Sequence, residues 1–318
     1  MTRQQDLTLV AGGRHSEPAP ASRGPKSRAS DEHLPAPVVR PFGEFERRYY
    51  EEEERSAKVA PEWALDHLTK ALDQSGAKCL SLDVFDTLLL RNGKSERRRF
   101  WEISGLWADW LSQAGCAPKA QVEDVFKARL RAAQICYSCG PLVLSTQEGR
   151  LDNIVEISLS LLGLPPTEAA KLAELEILYE ADNTTLNPLV AELVAHYRET
   201  GGSVILVSDM YMPAREIVEL LRLRGLPEDY ADRIFSSADT VVNKRTGTIF
   251  NDIAGKLGLE PETFFHVGDN FRSDYAMPRL FGWAAQHLPI PWAEEHLRAK
   301  DEQVFRAEVE RGLHLEQA

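Results

Sequence analysis

Cysteine is scarce in this 318-residue sequence: four residues, Cys79, Cys116, Cys136 and Cys139. So few thiols in so long a chain make no disulfide framework and suit a reducing compartment. Long apolar runs are missing, and nothing approaches the length of a membrane span. The short apolar patch Leu7 to Gly12 is too weak for the centre of a secretory signal, so a cytoplasmic home is expected. Basic residues are outnumbered, with 37 Lys and Arg against 49 Asp and Glu, a formal net charge of -12. A general nucleic-acid binder needs a basic surface, so that class is excluded. A small anionic ligand is not, because a local cationic pocket can sit in an acidic protein. What remains is ordinary for a globular chain, 43% hydrophobic and 27% charged, without an internal repeat.

Residues 1 to 43 read as a disordered tail. From residue 13 on they are rich in Pro, Ser, Arg and Ala and bury too little to offset ordering. Residues 44 to 76 look helical, with the acidic run Glu51 to Glu54 as a solvated face. Lys78 to Leu82 is a short apolar run that ends on the carboxylate of Asp83, the pattern of a buried parallel strand with a functional residue at its C-terminal end. Residues 91 to 188 are mainly helical: Phe100, Ile103, Leu106, Trp107 and Trp110 recur at helical spacing, as do Ile154, Ile157, Leu161 and Leu162, then Leu172, Leu175 and Leu178. After Pro188 strands and helices alternate: helix 189–198, strand 203–207, helix 215–223, strand 233–236, helix 249–257 and strand 264–267. Such alternation predicts a doubly wound α/β fold with a parallel sheet. Its core would comprise residues 77–90 and 189–290, with 291–318 a C-terminal helix carrying Leu297, Val304, Phe305 and Val309 on one side. Ligands in such sheets bind beyond the carboxyl ends of the strands, where Asp83, Ser208 and Asp269 all fall.

Four segments carry the chemistry. Asp83-Val84-Phe85-Asp86-Thr87-Leu88-Leu89 follows the first strand, and Ser208 ends the strand Val204-Ile205-Leu206-Val207. Lys244 opens Lys244-Arg245-Thr246-Gly247-Thr248-Ile249-Phe250. His266-Val267-Gly268-Asp269-Asn270 precedes Ser273-Asp274. In this order the four resemble the sequence motifs of the haloacid dehalogenase (HAD) superfamily over residues 77 to 290, and their wording resembles a bacterial subgroup of predicted HAD hydrolases. The resemblance implies a HAD-like Rossmannoid core. The helical stretch 91–188 is similar to the α-helical cap that many members insert after the first motif and that closes over the site.

A carboxylate can attack a phosphoryl group and split one hard step into two. Two anions repel, so a cation is needed, and Mg²⁺ suits one or two carboxylates plus substrate phosphate. Asp83 and Asp269 are the obvious pair. The resemblance adds the main-chain carbonyl of Phe85 as a metal ligand and Asp274 as a supporting carboxylate. It makes Asp83 the nucleophile, Ser208 a hydrogen-bond donor to a phosphoryl oxygen, and Lys244 the balancing charge. The expectation is a Mg²⁺-dependent phosphatase-type hydrolase that acts on a small phosphorylated metabolite through an aspartyl-phosphate.

The sequence departs from the family at Phe85, where phosphatases of the family carry a second Asp for proton transfer. Asp86 stands one position later, where the family often has Gly. It takes a catalytic role if the turn swings it inward; otherwise it forms a turn. Family branches without that second Asp cleave carbon–halogen or carbon–phosphorus bonds, so those reactions stay open, as does a non-catalytic domain that binds a phospho-ligand or protein partner. A partner would meet the N-terminal tail or the C-terminal helix. His266 reads as a satisfied core histidine, and Cys136-Tyr137-Ser138-Cys139 lacks the second pair a zinc site needs. Among the cap cations Arg97, Arg98, Arg99, Arg129 and Arg131, Arg129 is the first candidate for a second anionic group of a substrate.

Overall fold

The structure, a computed structural model, describes residues 61–312; the expected tail, the acidic run Glu51 to Glu54 and most of the segment 44–76 lie outside them. Helix α1 spans Pro61–Ser75 and buries Leu68 and Leu72. Strand β1, Cys79–Leu82, is buried along its whole length. Both faces are covered, so even its one polar residue, Ser81, is buried.

Five strands form one sheet in the order β5-β4-β1-β6-β7, with β4 at Ser203–Ser208, β5 at Arg233–Ser236, β6 at Phe264–Gly268 and β7 at Ala284–His287. All neighbours run parallel, and β1 is central, with Leu80 opposite Val204 on one side and Phe265 on the other. The order reverses at β1, so the carboxyl ends of β4, β1 and β6 stand side by side, about 4.8 Å apart from strand to strand. The sheet is flanked by α6 (Pro188–Glu199), α7 (Ala214–Leu223) and α8 (Thr248–Leu257). The expected strands and helices of this half occur within a residue or two of their predicted limits. Strand β7 was not foreseen: Ala-Ala-Gln-His has no apolar run to mark it.

Between β1 and β4 the chain leaves the sheet as a helical cap. It contains α2 (Glu96–Gln113), α3 (Val122–Cys139), α4 (Leu151–Leu161) and α5 (Ala169–Asp182). Two short strands frame it, β2 (Leu89–Arg91) and β3 (Thr184–Leu186), paired antiparallel with Leu89 opposite Leu186. Three residues each were too few to read as strands from the sequence. Ile103, Trp107, Leu111, Phe126, Ile154 and Leu172 form the cap interior, but Leu106, Leu161 and Leu178 face outward. The periodicity therefore placed the helices correctly and drew their apolar stripe too wide.

The last helix, α9 (Trp292–Phe305), lies on the cap. Phe305 is fully buried between Trp101 and Phe126, at ring distances of 6.1 and 5.9 Å. Burying such a ring stabilises by about 1.5–3 kcal/mol. Asp301 adds a polar clamp, accepting from Ser95 N–H (2.9 Å), Ser95 Oγ (2.8 Å) and Arg98 Nε (2.5 Å). Leu297 and Val304, expected on the same apolar side, are half exposed or nearly so.

Candidate active site

Each reactive side chain leaves the carboxyl end of a strand or the loop beside it. Asp83 directly follows β1, and its N–H donates to Val267 O of β6 at 2.9 Å. Ser208 ends β4, is buried, and its Oγ accepts from Met210 N–H at 3.2 Å. Asp269 follows β6. Asn270 then caps the next turn by accepting from Ser273 N–H (2.9 Å), which presents Asp274 back towards the strand. A Cβ on residue 268 would meet Asp274 Cγ at 2.4 Å, so Gly268 is required for that approach.

Lys244 lies at the centre. Its buried ammonium donates to Asp83 Oδ1 at 2.5 Å and to Asp274 Oδ1 at 2.6 Å. Its backbone is held by Asp209, whose two oxygens accept from Lys244 N–H at 2.8 and 2.9 Å and from Arg245 N–H at 3.1 Å. Asp209, which follows Ser208 directly, thereby fixes the lysine loop. Glu148 of the cap also grips that loop, accepting from Asn243 Nδ2 (2.6 Å), Ser237 Oγ (3.0 Å) and Arg245 (3.0 Å). No spacing rule marks Glu148, because it sits 95 residues from Asn243. Gly247 has φ +80°, and a Cβ there would meet the Phe281 ring at 2.0 Å, which explains the Thr246-Gly247 turn.

Asp83, Asp269 and Asp274 each offer a carboxylate oxygen, all within 4.8 Å of one another. Burial pushes Asp83 up to about 7 against the pull of Lys244. Burial, then the charges of Asp83, Asp274 and Asp86, push Asp269 up to about 8. Burial also opposes ionisation of Asp274, but Lys244 and His266 outweigh it and hold that carboxyl below the usual range. Burial works against the Lys244 ammonium too, and its carboxylate neighbours outweigh it, keeping it charged. Three crowded carboxylates with one ammonium leave an excess of negative charge. Hard oxygen donors at this separation fit a divalent cation such as Mg²⁺.

His266 is a satisfied core histidine: its Nδ1 lies 2.8 Å from Ser81 Oγ and its Nε2 3.1 Å from Asp274 Oδ1. Burial, ahead of the opposing pull of Asp274, lowers its pKa and keeps the ring neutral. Phe85 is buried at the cleft, and the Arg91 guanidinium lies 4.4 Å over its ring. Asp86 adopts φ +64°, the left-handed conformation that Gly takes most easily. Its Oδ1 accepts from Arg298 at 2.7 Å and from Arg91 N–H at 3.2 Å, while Oδ2 lies 3.7 Å from the Arg91 guanidinium. Burial disfavours its charge, but the Arg298 hydrogen bond and Arg91 outweigh it and hold Asp86 below the ordinary carboxylate range. A group in that state is the wrong form for a proton donor.

Arg129 does not face a substrate. It is fully buried, paired with Glu176, 3.0 Å from Tyr211 Oη and 3.8 Å over the Phe100 ring. Arg99 pairs with buried Glu180 at 3.0 Å and Arg98 with Asp301. Cys136 is buried and Cys139 exposed on one helix, both as free thiols.

The cleft has a volume of about 310 Å³; Asp83, Phe85, Ser208, Lys244, Asp269 and Asp274 line it from the core, and Glu96 and Tyr137 from the cap. The sequence profile of haloacid dehalogenase-like hydrolases matches residues 77–282, and the chain belongs to that family of enzymes. No curated protein matches the sequence. Among solved structures, it is similar to a 2-haloacid dehalogenase from Pseudomonas syringae pv. Tomato DC3000, with 18% identity, 66% of this chain and 85% of that one covered, and a TM-score of 0.45. A HAD phosphatase from Thermococcus onnurineus shares 18% identity over 66% of this chain and 86% of its own, with a TM-score of 0.44. A predicted phosphoglycolate phosphatase from Haemophilus somnus 129pt shares 15% over 68% and 90%, with a TM-score of 0.39. Among the described residues no helix is long and apolar enough to cross a membrane.

Proposed function

We propose that the chain is a Mg²⁺-dependent phosphohydrolase acting on a small phosphorylated compound, with Asp83 as nucleophile. The observation that carries this reading is the oxygen cluster of Asp83, Asp269 and Asp274 within 4.8 Å, with the Lys244 ammonium joining Asp83 to Asp274. Asp83 and Asp269, supported by Asp274 and the Phe85 carbonyl, would hold Mg²⁺. When bound, the ion neutralises the carboxylates and the charge of the phosphoryl oxygens.

The chain's own residues do the rest. Asp83 Oδ attacks phosphorus while the bond from phosphorus to the leaving oxygen breaks, and water then hydrolyses the aspartyl-phosphate to inorganic phosphate and free Asp83. Lys244 favours the ionised form of Asp83 against the effect of burial and stabilises negative charge on the transferring group. Ser208 Oγ donates to a phosphoryl oxygen. Asp274, held by Lys244, His266 and the Asn270 N–H at 3.0 Å, orients the ammonium. Asp86 holds the turn after the nucleophile through its two arginines and takes no proton-transfer role. Residues 91–188 act as the cap, and a cytoplasmic location goes with this chemistry.

A second reading, cleavage of a carbon–halogen bond, is favoured by one observation: Phe85 stands where a proton-transferring carboxyl would be. Hydrolysis of p-nitrophenyl phosphate, with Mg²⁺ or with chelator, for wild type and Asp83→Asn separates the two. The phosphohydrolase reading expects activity that needs both Mg²⁺ and Asp83. Halide release from a 2-haloacid in the presence of chelator, without phosphate release, would replace it.

A further inference from the structure

The turn that follows the nucleophile carries no carboxyl free to hand a proton to a departing oxygen. Phe85 has no such proton, and its ring is covered by Arg91. Asp86 comes next, but Arg298 and Arg91 occupy its oxygens, so it serves as an acceptor only. An alkyl phosphate ester leaves as a strongly basic alkoxide and needs that proton. Acid catalysis of this kind is worth roughly 10²–10⁴ in rate.

A second, independent feature concerns where the leaving group goes. Glu96 and Tyr137 line both the catalytic cleft and a neighbouring groove of about 650 Å³ between α2 and α3. Arg97, Lys127 and Arg131 stand along that groove, and Glu96 is its sole acidic lining residue. Lys127 and Arg131 are four apart on one helix and share a face. In a chain of net charge -12, three cations beside one carboxylate make a local exception that draws anions.

We propose, building on the phosphoryl-transfer reading, that the substrate is a phosphoryl donor whose leaving oxygen departs as a stabilised anion. It is an acyl phosphate or a phosphoanhydride, and the departing anion is received along the groove of Arg97, Lys127 and Arg131. In the first step a bond forms between Asp83 Oδ and phosphorus. The bond from phosphorus to the leaving oxygen breaks, and its electron pair leaves on a carboxylate or phosphate; no proton moves. In the second step water attacks phosphorus, Asp83 leaves as a carboxylate, and the proton of the water passes to solvent with inorganic phosphate as product.

The test measures kcat/KM of the full chain with Mg²⁺ on acetyl phosphate, inorganic pyrophosphate and glycerol 1-phosphate. It uses wild type, Phe85→Asp and the double variant Lys127→Ala/Arg131→Ala. At least one of the first two compounds is expected to exceed glycerol 1-phosphate by about 10²-fold or more. Preference for acetyl phosphate identifies the acyl source, and preference for pyrophosphate the anhydride. Phe85→Asp is expected to narrow the gap by raising the ester rate; if that variant does not fold, the wild-type ratio carries the test alone. The double variant is expected to raise KM for the preferred donor by about tenfold with kcat little changed, and an unchanged KM removes the groove from the proposal. Glycerol 1-phosphate turned over within about tenfold of the best donor overturns the proposal, and Glu96→Gln and Tyr137→Phe then find the acid. If no phosphoryl compound is turned over, or Asp83→Asn changes nothing, it is the phosphohydrolase reading that fails.

Discussion

Arg298 in the last helix donates to Asp86 Oδ1 across 2.7 Å, joining residues 212 apart in sequence. Its guanidinium also donates to Arg91 O at 3.1 Å, so one side chain pins the turn after the nucleophile and the first strand of the cap frame. The family match ends at residue 282, which makes this clamp an addition from outside the matched region. Arg298→Ala is expected to destabilise by about 1.5–3 kcal/mol, the range for a lost hydrogen bond to a charged group. Chemical denaturation measures it, and Arg298→Lys should recover only part, since one ammonium replaces a planar fork.

Asp269 tests the cation site without relying on turnover. Mg²⁺ at about 100 times its dissociation constant is expected to stabilise the wild type by about 2.7 kcal/mol, seen as a rise in Tm. Asp269→Asn should abolish most of that rise. An equal Mg²⁺ response in variant and wild type would count against Asp269 as a ligand.

Arg129 and Glu176 form a fully buried pair in the cap, and Tyr211 of the core donates its hydroxyl to Glu176 Oε1 at 2.7 Å. Arg129→Ala leaves Glu176 buried without its cation and is expected to cost about 3–5 kcal/mol. The double variant Arg129→Met/Glu176→Gln should unfold closer to wild type than the single one. Urea unfolding of the three chains measures the coupling.

Asp301 gives the pH prediction. Burial works against its charge, but the Ser95 N–H and hydroxyl and the Arg98 guanidinium outweigh it and lower its pKa in the folded chain. A depressed carboxyl pKa contributes stability above its unfolded value of about 3.9 and loses it as pH falls through the folded value. Wild type should therefore lose stability more steeply below about pH 4 than Asp301→Asn, in unfolding curves taken from pH 3 to pH 6. Parallel curves would show that Asp301 does not anchor the helix.

Strand ends and motif residues were legible in the sequence because they are local. Leu80 to Leu82 needs only its own apolar run to declare a buried strand, and Asp83 needs only to follow it. Gly268 carries its own explanation in the close approach of Asp274 six residues on. For the same reason the order of core strands and helices, and the existence of a helical insertion, could be written down from periodicity. Partnership between distant charges could not. Asp86 reads equally well as a catalytic acid or a turn residue until Arg298 is seen against it. Arg129 reads as a cap cation open to a second anionic group of a substrate until Glu176, Tyr211 and Phe100 surround it. Hydrophobic period records only which face of an element is buried. Which charge meets which depends on the tertiary packing of segments 47 to 212 residues apart, and at that range the sequence holds no spacing to read.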